Sequence, residues 1–229
     1  VKKVKNKIGV ILMTVLILCG CSATELEDRC FPMMAFIDEQ DGQIAFSYGF
    51  PELSQKENTD MEEAKVDAPA VLGKSMKECV KKNSDEMEKL ADCNHMKVLI
   101  LGENLMQDSF RYDQTLAYLK ETEIFPRNTY VCVTADPSRL LEIEKDLPED
   151  LGSYLELFLQ NHESDRQITL LNLGRLLDEQ ENQRLELKLP YLSVKNGTVV
   201  WEKNYVKGNY SSHLTNSYRQ RINLNRTGK

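Results

Sequence analysis

The chain has 229 residues, with 29 Lys and Arg against 36 Asp and Glu, a formal charge of −7. Hydrophobic residues make up 41% and charged residues 28%, which excludes wholesale disorder and suits one large domain or two small ones. The acidic balance argues against a nucleic-acid partner, 11 Gly and 7 Pro are too few for a fibrous repeat, and no period of about 20–50 residues marks a solenoid.

Residues 1–20 read as a lipoprotein signal peptide. Lys2, Lys3, Lys5 and Lys7 precede Ile8–Cys19, twelve residues without a charge. That run is too short to cross a bilayer, which takes about 20 helical residues, and has the form of the apolar middle of an export signal. It ends in Leu18-Cys19-Gly20-Cys21, which resembles the bacterial lipobox: an apolar residue, two small ones and a Cys. The thiol takes a diacylglyceryl group at the membrane surface, and small residues before it let a peptidase reach the bond it cuts. Cys21 is therefore the expected lipidation site, with fatty acyl (palmitate) chains. Two chains anchor stably where one binds marginally. The expected location is the extracytoplasmic face of the cell membrane, lipid-anchored. Losing four Lys with the leader leaves a more acidic body, expected to stand off anionic lipid.

Beyond Cys19 and Cys21 four cysteines remain: Cys30, Cys79, Cys93 and Cys132. A body this long has core enough without staples, and Cys79 and Cys132 sit in apolar periodic segments, so buried free thiols are expected. A Cys79–Cys93 bridge is the second choice. The absence of C-x-x-C leaves a thioredoxin-like role without its motif. Cys93-Asn94-His95 offers two metal ligands, but nothing nearby completes a tetrahedral set. It reads as a polar turn before a strand. His162 and His213 lie in polar stretches and read as surface histidines.

Along the chain, Phe31–Asp38 reads as a buried strand. Asp41-Gly42 is a turn signal, and Gln43–Phe50 alternates with Ile44, Phe46 and Tyr48 on one face, which together predict a β-hairpin ended by Pro51. Residues 52–67 form an acidic, solvated loop. Gly73-Lys74-Ser75 ends like a P-loop, but position 68 is Ala where that motif needs Gly, and no strand is read before it. Ser75 with Glu78 forms a capping box for a helix over about 76–91, carrying Met76, Cys79, Val80, Met87 and Leu90. Val98–Leu101 reads as a central buried strand. One helix follows Gly102-Glu103 with Leu105, Met106, Phe110, Leu116 and Leu119. Tyr130–Thr134 is a strand, and Asp136-Pro137 caps a helix with Leu140, Leu141, Ile143 and Leu147.

Helices are expected over about 150–161 and 169–181, with polar residues between them. Leu185, Leu187 and Leu189 alternate, and Tyr191–Lys195 and Thr198–Glu202 flank Asn196-Gly197, a strong hairpin signal. Trp201 should pack on that small sheet. The expected organisation is a first α/β domain over 21–147, a second smaller α/β unit over 148–208 ending in a β-hairpin, and a polar basic tail over 209–229. The fold class is α/β (α+β), a mixed sheet flanked by helices.

No G-x-S-x-G elbow, H-E-x-x-H helix, Rossmann fingerprint or EF-hand loop is present. The acid pairs Glu62-Glu63 and Glu149-Asp150 sit in polar stretches, not in the dry setting that acid–base chemistry needs. The expectation is a non-enzymatic chain without a cofactor, a metal or a catalytic residue.

The order of segments resembles the Ger(x)C family, the lipoprotein C subunits of nutrient germinant receptors in spore-forming bacteria. Glu25-Leu26-Glu27-Asp28 is similar to the family's stem, and Phe36-Ile37-Asp38 to its strand ending in Asp. His95-Met96-Lys97-Val98-Leu99-Ile100-Leu101-Gly102-Glu103 resembles its His-x-Lys, apolar strand, Gly-Glu segment. Leu189-Pro190 and Val206-Lys207-Gly208 resemble the close of its second domain. Ser22 stands where the family usually has Trp. The resemblance covers about residues 16–208, the family's N-terminal domains only. It implies a non-catalytic subunit on the outer face of the inner spore membrane, beside two integral membrane subunits of the A and B types, in nutrient-triggered germination. The alternative is a lipid-anchored extracytoplasmic protein that binds a small solute.

Overall fold

The computed structural model describes residues 26–51, 70–144, 147, 149–163, 170–182 and 186–208. The leader, Cys21, the acidic stretch 52–67 and the tail 209–229 lie outside the described residues. Asp41 and Gly42 take φ values of 50° and 80°, the left-handed backbone that a tight two-residue hairpin turn requires. They join strands Met34–Gln40 and Gln43–Gly49, paired antiparallel from Met34↔Gly49 to Gln40↔Gln43. Counted with a short first strand β1 (Arg29–Cys30), these are β2 and β3. Ile44, Phe46 and Tyr48 are all buried, as the alternation predicts.

Strand β4, Val71–Gly73, is a three-residue edge on β3. The sequence predicts no strand here, because three residues are too few to show a period. Helix α1 runs over Met76–Glu86. The Ser75 hydroxyl accepts from the Glu78 N–H at 3.3 Å, and the Glu78 carboxylate accepts from the Lys74 N–H at 3.0 Å. Both halves of the capping box form, the second displaced by one residue. The helix ends five residues before the expected 91. Asp85, Glu86 and Glu88 are unfavourable at the negative end of a helix, and Leu90–Ala91 instead forms β5, parallel to β1. Leu90, expected on the apolar stripe, is 54% exposed.

Strand β6, Val98–Gly102, is buried at every position. The expected single helix after it is two: α2 (Glu103–Gln107) and α3 (Ser109–Thr122). Asp108 separates them, its carboxylate accepting from the Arg111 N–H at 3.0 Å. The break turns Phe110, expected in the stripe, outward to 69% exposure. Strand β7 covers Tyr130–Thr134. Asp136 caps α4 (Pro137–Ile143), accepting from the Arg139 N–H at 3.2 Å. Helices α5 (Leu151–Glu163) and α6 (Leu173–Glu181) follow. Helix α6 starts four residues after the expected 169, because Asn172 caps it and bridges to Tyr130 of β7.

Strands β8 (Glu186–Lys195) and β9 (Thr198–Gly208) pair across Asn196-Gly197, again with positive φ at both turn residues. Strand β8 runs unbroken through Pro190. It joins β7 in parallel by Val133↔Tyr191 and Thr134↔Leu192. The seven strands are ordered β4-β3-β2-β6-β7-β8-β9, with β2, β6, β7 and β8 parallel and a hairpin at each side. Residues read as a first domain and a second unit thus contribute to one sheet. One face packs against α1, α2, α3 and α6, and the other against α4 and α5. The mixed sheet flanked by helices is the expected fold class.

A bulge in β9 sets which side chains face which layer. Tyr191 pairs with Lys203 and Leu192 with Trp201, so Glu202 is the extra residue and the alternation shifts there. Trp201 turns toward Leu140, Leu155 and Leu159 beneath α4 and α5, a larger layer than the small sheet expected for it. Its indole N–H donates to the Lys203 carbonyl and to Asn204 Oδ1, both at 3.1 Å. Trp201 is 2% exposed, so Trp201→Ala is expected to cost about 3–5 kcal/mol. Urea unfolding followed by circular dichroism measures it, and an unchanged midpoint would contradict this packing.

Candidate functional site

The carboxyl ends of β2 and β6 lie side by side, where open parallel sheets present their functional groups. Gly102 stands at the cap position of α2 and has no side chain to bond its first N–H groups. Asp38, at the end of the parallel stretch of β2, supplies the missing acceptor. Its carboxylate accepts from the Leu105 N–H at 2.9 Å and from Asn104 Nδ2 at 3.3 Å. A Cβ at Gly102 would overlap the Asp38 carboxyl group, so the glycine is dictated by the close approach. Asp38 is 8% exposed. Burial holds its carboxyl above the ordinary Asp value, and the Leu105 N–H works in the opposite direction.

The same short helix is held at two further points. Glu103 Oε2 accepts from the Tyr191 hydroxyl at 2.8 Å. Lys207 Nζ donates to the Met106 carbonyl at 2.6 Å and stands 4.1 Å from the centre of the Tyr112 ring. Burial lowers the Lys207 pKa, and nearby Asp113 and Asp108 raise it. Lys203 Nζ lies 4.5 Å from the Tyr191 ring, which stacks on Tyr205 at 6.4 Å. Helix α2 is thus clasped by β2 at its start and by β8 and β9 along its length. Asp38 and Lys207 bond the helix backbone and Tyr191 bonds a helix side chain; among the described residues no group of three or more His, Cys, Asp or Glu is placed to hold a metal ion.

The other sequence candidates are scattered. Cys93 is buried, with its thiol donating to the Tyr48 hydroxyl at 3.6 Å. His95 is exposed and its ring meets Phe31 edge-on at 5.6 Å. The Cys79 thiol donates to the Ile44 carbonyl at 3.3 Å. Burial pushes Cys79 and Cys93 each up to about 11, far from a reactive thiolate. Cys30, Cys79, Cys93 and Cys132 are all buried and free, and no Cys79–Cys93 bridge forms. His162 Nδ1 lies 2.8 Å from the Phe158 carbonyl, with its ring stacked on Phe158. Asp150 caps α5, accepting from the Ser153 N–H at 2.8 Å. Cys21, Glu62, Glu63 and His213 lie outside the described residues.

The family of spore germination protein N-terminal domains matches residues 22–194. This chain belongs to that family. No curated protein and no solved structure matches it significantly. In this germination domain, segments far apart in sequence meet at α2: Asp38, Gly102-Glu103 and Lys207. In the sequence they stand in separate loose motifs, and nothing in the linear order shows that they meet at one helix. Tyr191 and Asn104 were missed, since a strand Tyr and a helix-start Asn carry no signal of their own.

Gly102→Ala is expected to destabilise the domain by about 1–3 kcal/mol through overpacking against Asp38, read from urea midpoints. The folded state binds the Asp38 proton at a higher pH than the unfolded chain does. Stability contributed at this site therefore falls as pH rises from the ordinary Asp value through the raised native one. Asp38→Asn should flatten that slope in a pH series of unfolding midpoints. An unaltered slope would place the titrating group elsewhere.

Proposed function

We propose that the protein is a membrane-anchored lipoprotein of the germinant receptor C-subunit type, acting in nutrient-triggered spore germination through protein–protein contacts rather than catalysis. The match of the spore germination family over residues 22–194 carries this reading. The polar side chains of the α2 clasp, Asp38, Glu103 and Lys207, tie elements of the fold together, in keeping with a protein that works through contacts. Its partners are the integral membrane A- and B-type subunits. Leu18-Cys19-Gly20-Cys21 supports anchoring through Cys21, on the extracytoplasmic face of the inner spore membrane. Among the described residues no helix is long and apolar enough to cross a membrane.

A strain lacking this chain is expected to produce spores that germinate slowly or not at all with a nutrient, while agents that bypass nutrient sensing still work. Cys21→Ser is expected to abolish incorporation of labelled fatty acid, to release the chain from the membrane fraction and to reproduce the deletion phenotype. Normal germination of the deletion strain with every nutrient tried removes the receptor reading. Unchanged acylation in the Cys21→Ser variant removes the anchor.

A further inference from the structure

We propose that the amino-terminal edge of the sheet faces the lipid bilayer and that the carboxyl edge, with its two hairpin tips, points away from it. The proposal rests on the anchoring reading and adds an orientation to it.

Strands β2, β6, β7 and β8 are parallel, so the sheet has one edge where they start and an opposite edge where they end. The chain enters at the starting edge. The turn Leu26–Asp28 leads into β1, three residues before β2, and β1 pairs with β5, which leads through Cys93–His95 into β6. Cys21 is five residues before Leu26. At full extension those five residues reach about 17 Å. Strand β2 alone is seven residues, roughly 20 Å from end to end, and Asp41-Gly42 lies at its far end. Thr198, beside the turn Asn196-Gly197, lies at the corresponding end of β8. A tether of that length keeps the starting edge near the bilayer, and with the strands standing on that edge both tips lie a strand's length farther out.

The side chains next to the tether suit a lipid surface. Leu90 is 54% exposed, and its partner in the β1–β5 ladder is Arg29. Lys89 is exposed beside it, and the half-buried Phe31 ring leans on His95. Apolar and aromatic groups with a flanking Lys sit favourably at the boundary between headgroups and acyl chains. Glu27, Asp28 and Glu88 are exposed at the same edge, while Arg29 pairs with Asp92, and Lys97 with Glu156. Among the described residues this edge carries no excess of cations, so the acyl anchor and Leu90, not attraction to anionic lipid, are what place it there. The opposite edge displays Phe110, 69% exposed, to whatever lies away from the membrane.

The test uses the full lipidated chain with single added cysteines, since Cys30, Cys79, Cys93 and Cys132 are buried. Leu90→Cys and Asn128→Cys mark the starting edge, and Phe110→Cys and Thr198→Cys mark the far one, all at exposed positions. Each is labelled with a fluorophore and bound to vesicles of phosphatidylethanolamine and phosphatidylglycerol that carry a headgroup nitroxide lipid. Labels at 90 and 128 should be quenched several-fold more than those at 110 and 198. Equal or reversed quenching in vesicle-bound protein overturns the orientation and leaves the anchor standing. Failure of the unlabelled chain to float with the vesicles overturns the anchor, and the orientation with it.

Discussion

The Asp38 carboxylate is taken out of water to bond a helix that cannot cap itself. Gly102 must be small because the carboxylate stands against it, and the carboxylate must be there because a glycine has no side chain with which to satisfy Leu105. Each residue makes the other necessary, and together they fix how α2 leaves β6 beside the end of β2. A buried ion is costly unless its bonds are made; here two donors meet it. The contacts to Tyr191 and Lys207 then tie the last hairpin to the same five-residue helix.

That tie depends on the bulge at Glu202. In a strand without it, Trp201, Lys203, Tyr205 and Lys207 would share one face. The extra residue sends Trp201 under α4 and α5 and turns the following odd-numbered residues toward α2 and α3. One irregularity lets a single strand seal two layers. It also explains how Lys207 comes to be buried: its ammonium finds a carbonyl and an aromatic face inside the fold rather than water. A clasp of this kind ties three strands to one short helix through side chains that are far apart in the sequence.

Much of this fold is legible in local chemistry. Asp41-Gly42 and Asn196-Gly197 specify tight turns because few other dipeptides tolerate two residues at positive φ. Ser75, Asp136 and the apolar run Val98–Leu101 mark a helix start, another helix start and the centre of the sheet. The misses share a cause. Strand β4, the stop of α1 at Glu86 and the break at Asp108 are settled by pairing partners or by competition between neighbours. A stripe counted at helical spacing sees neither, so it places Leu90 and Phe110 in a core they do not enter.

The residues alone determined the α/β class, the turns, the caps, the burial of four thiols and the family to which the chain belongs. Each depends on interactions within a few positions or on composition, which a linear string records. Only the tertiary structure decided that the last hairpin extends the first sheet, that Trp201 and Lys207 face opposite layers, and that Asp38, Glu103 and Lys207 converge on one short helix. Those outcomes depend on strand order and on a one-residue shift in register, and the distances they create join residues about 65 to 100 positions apart.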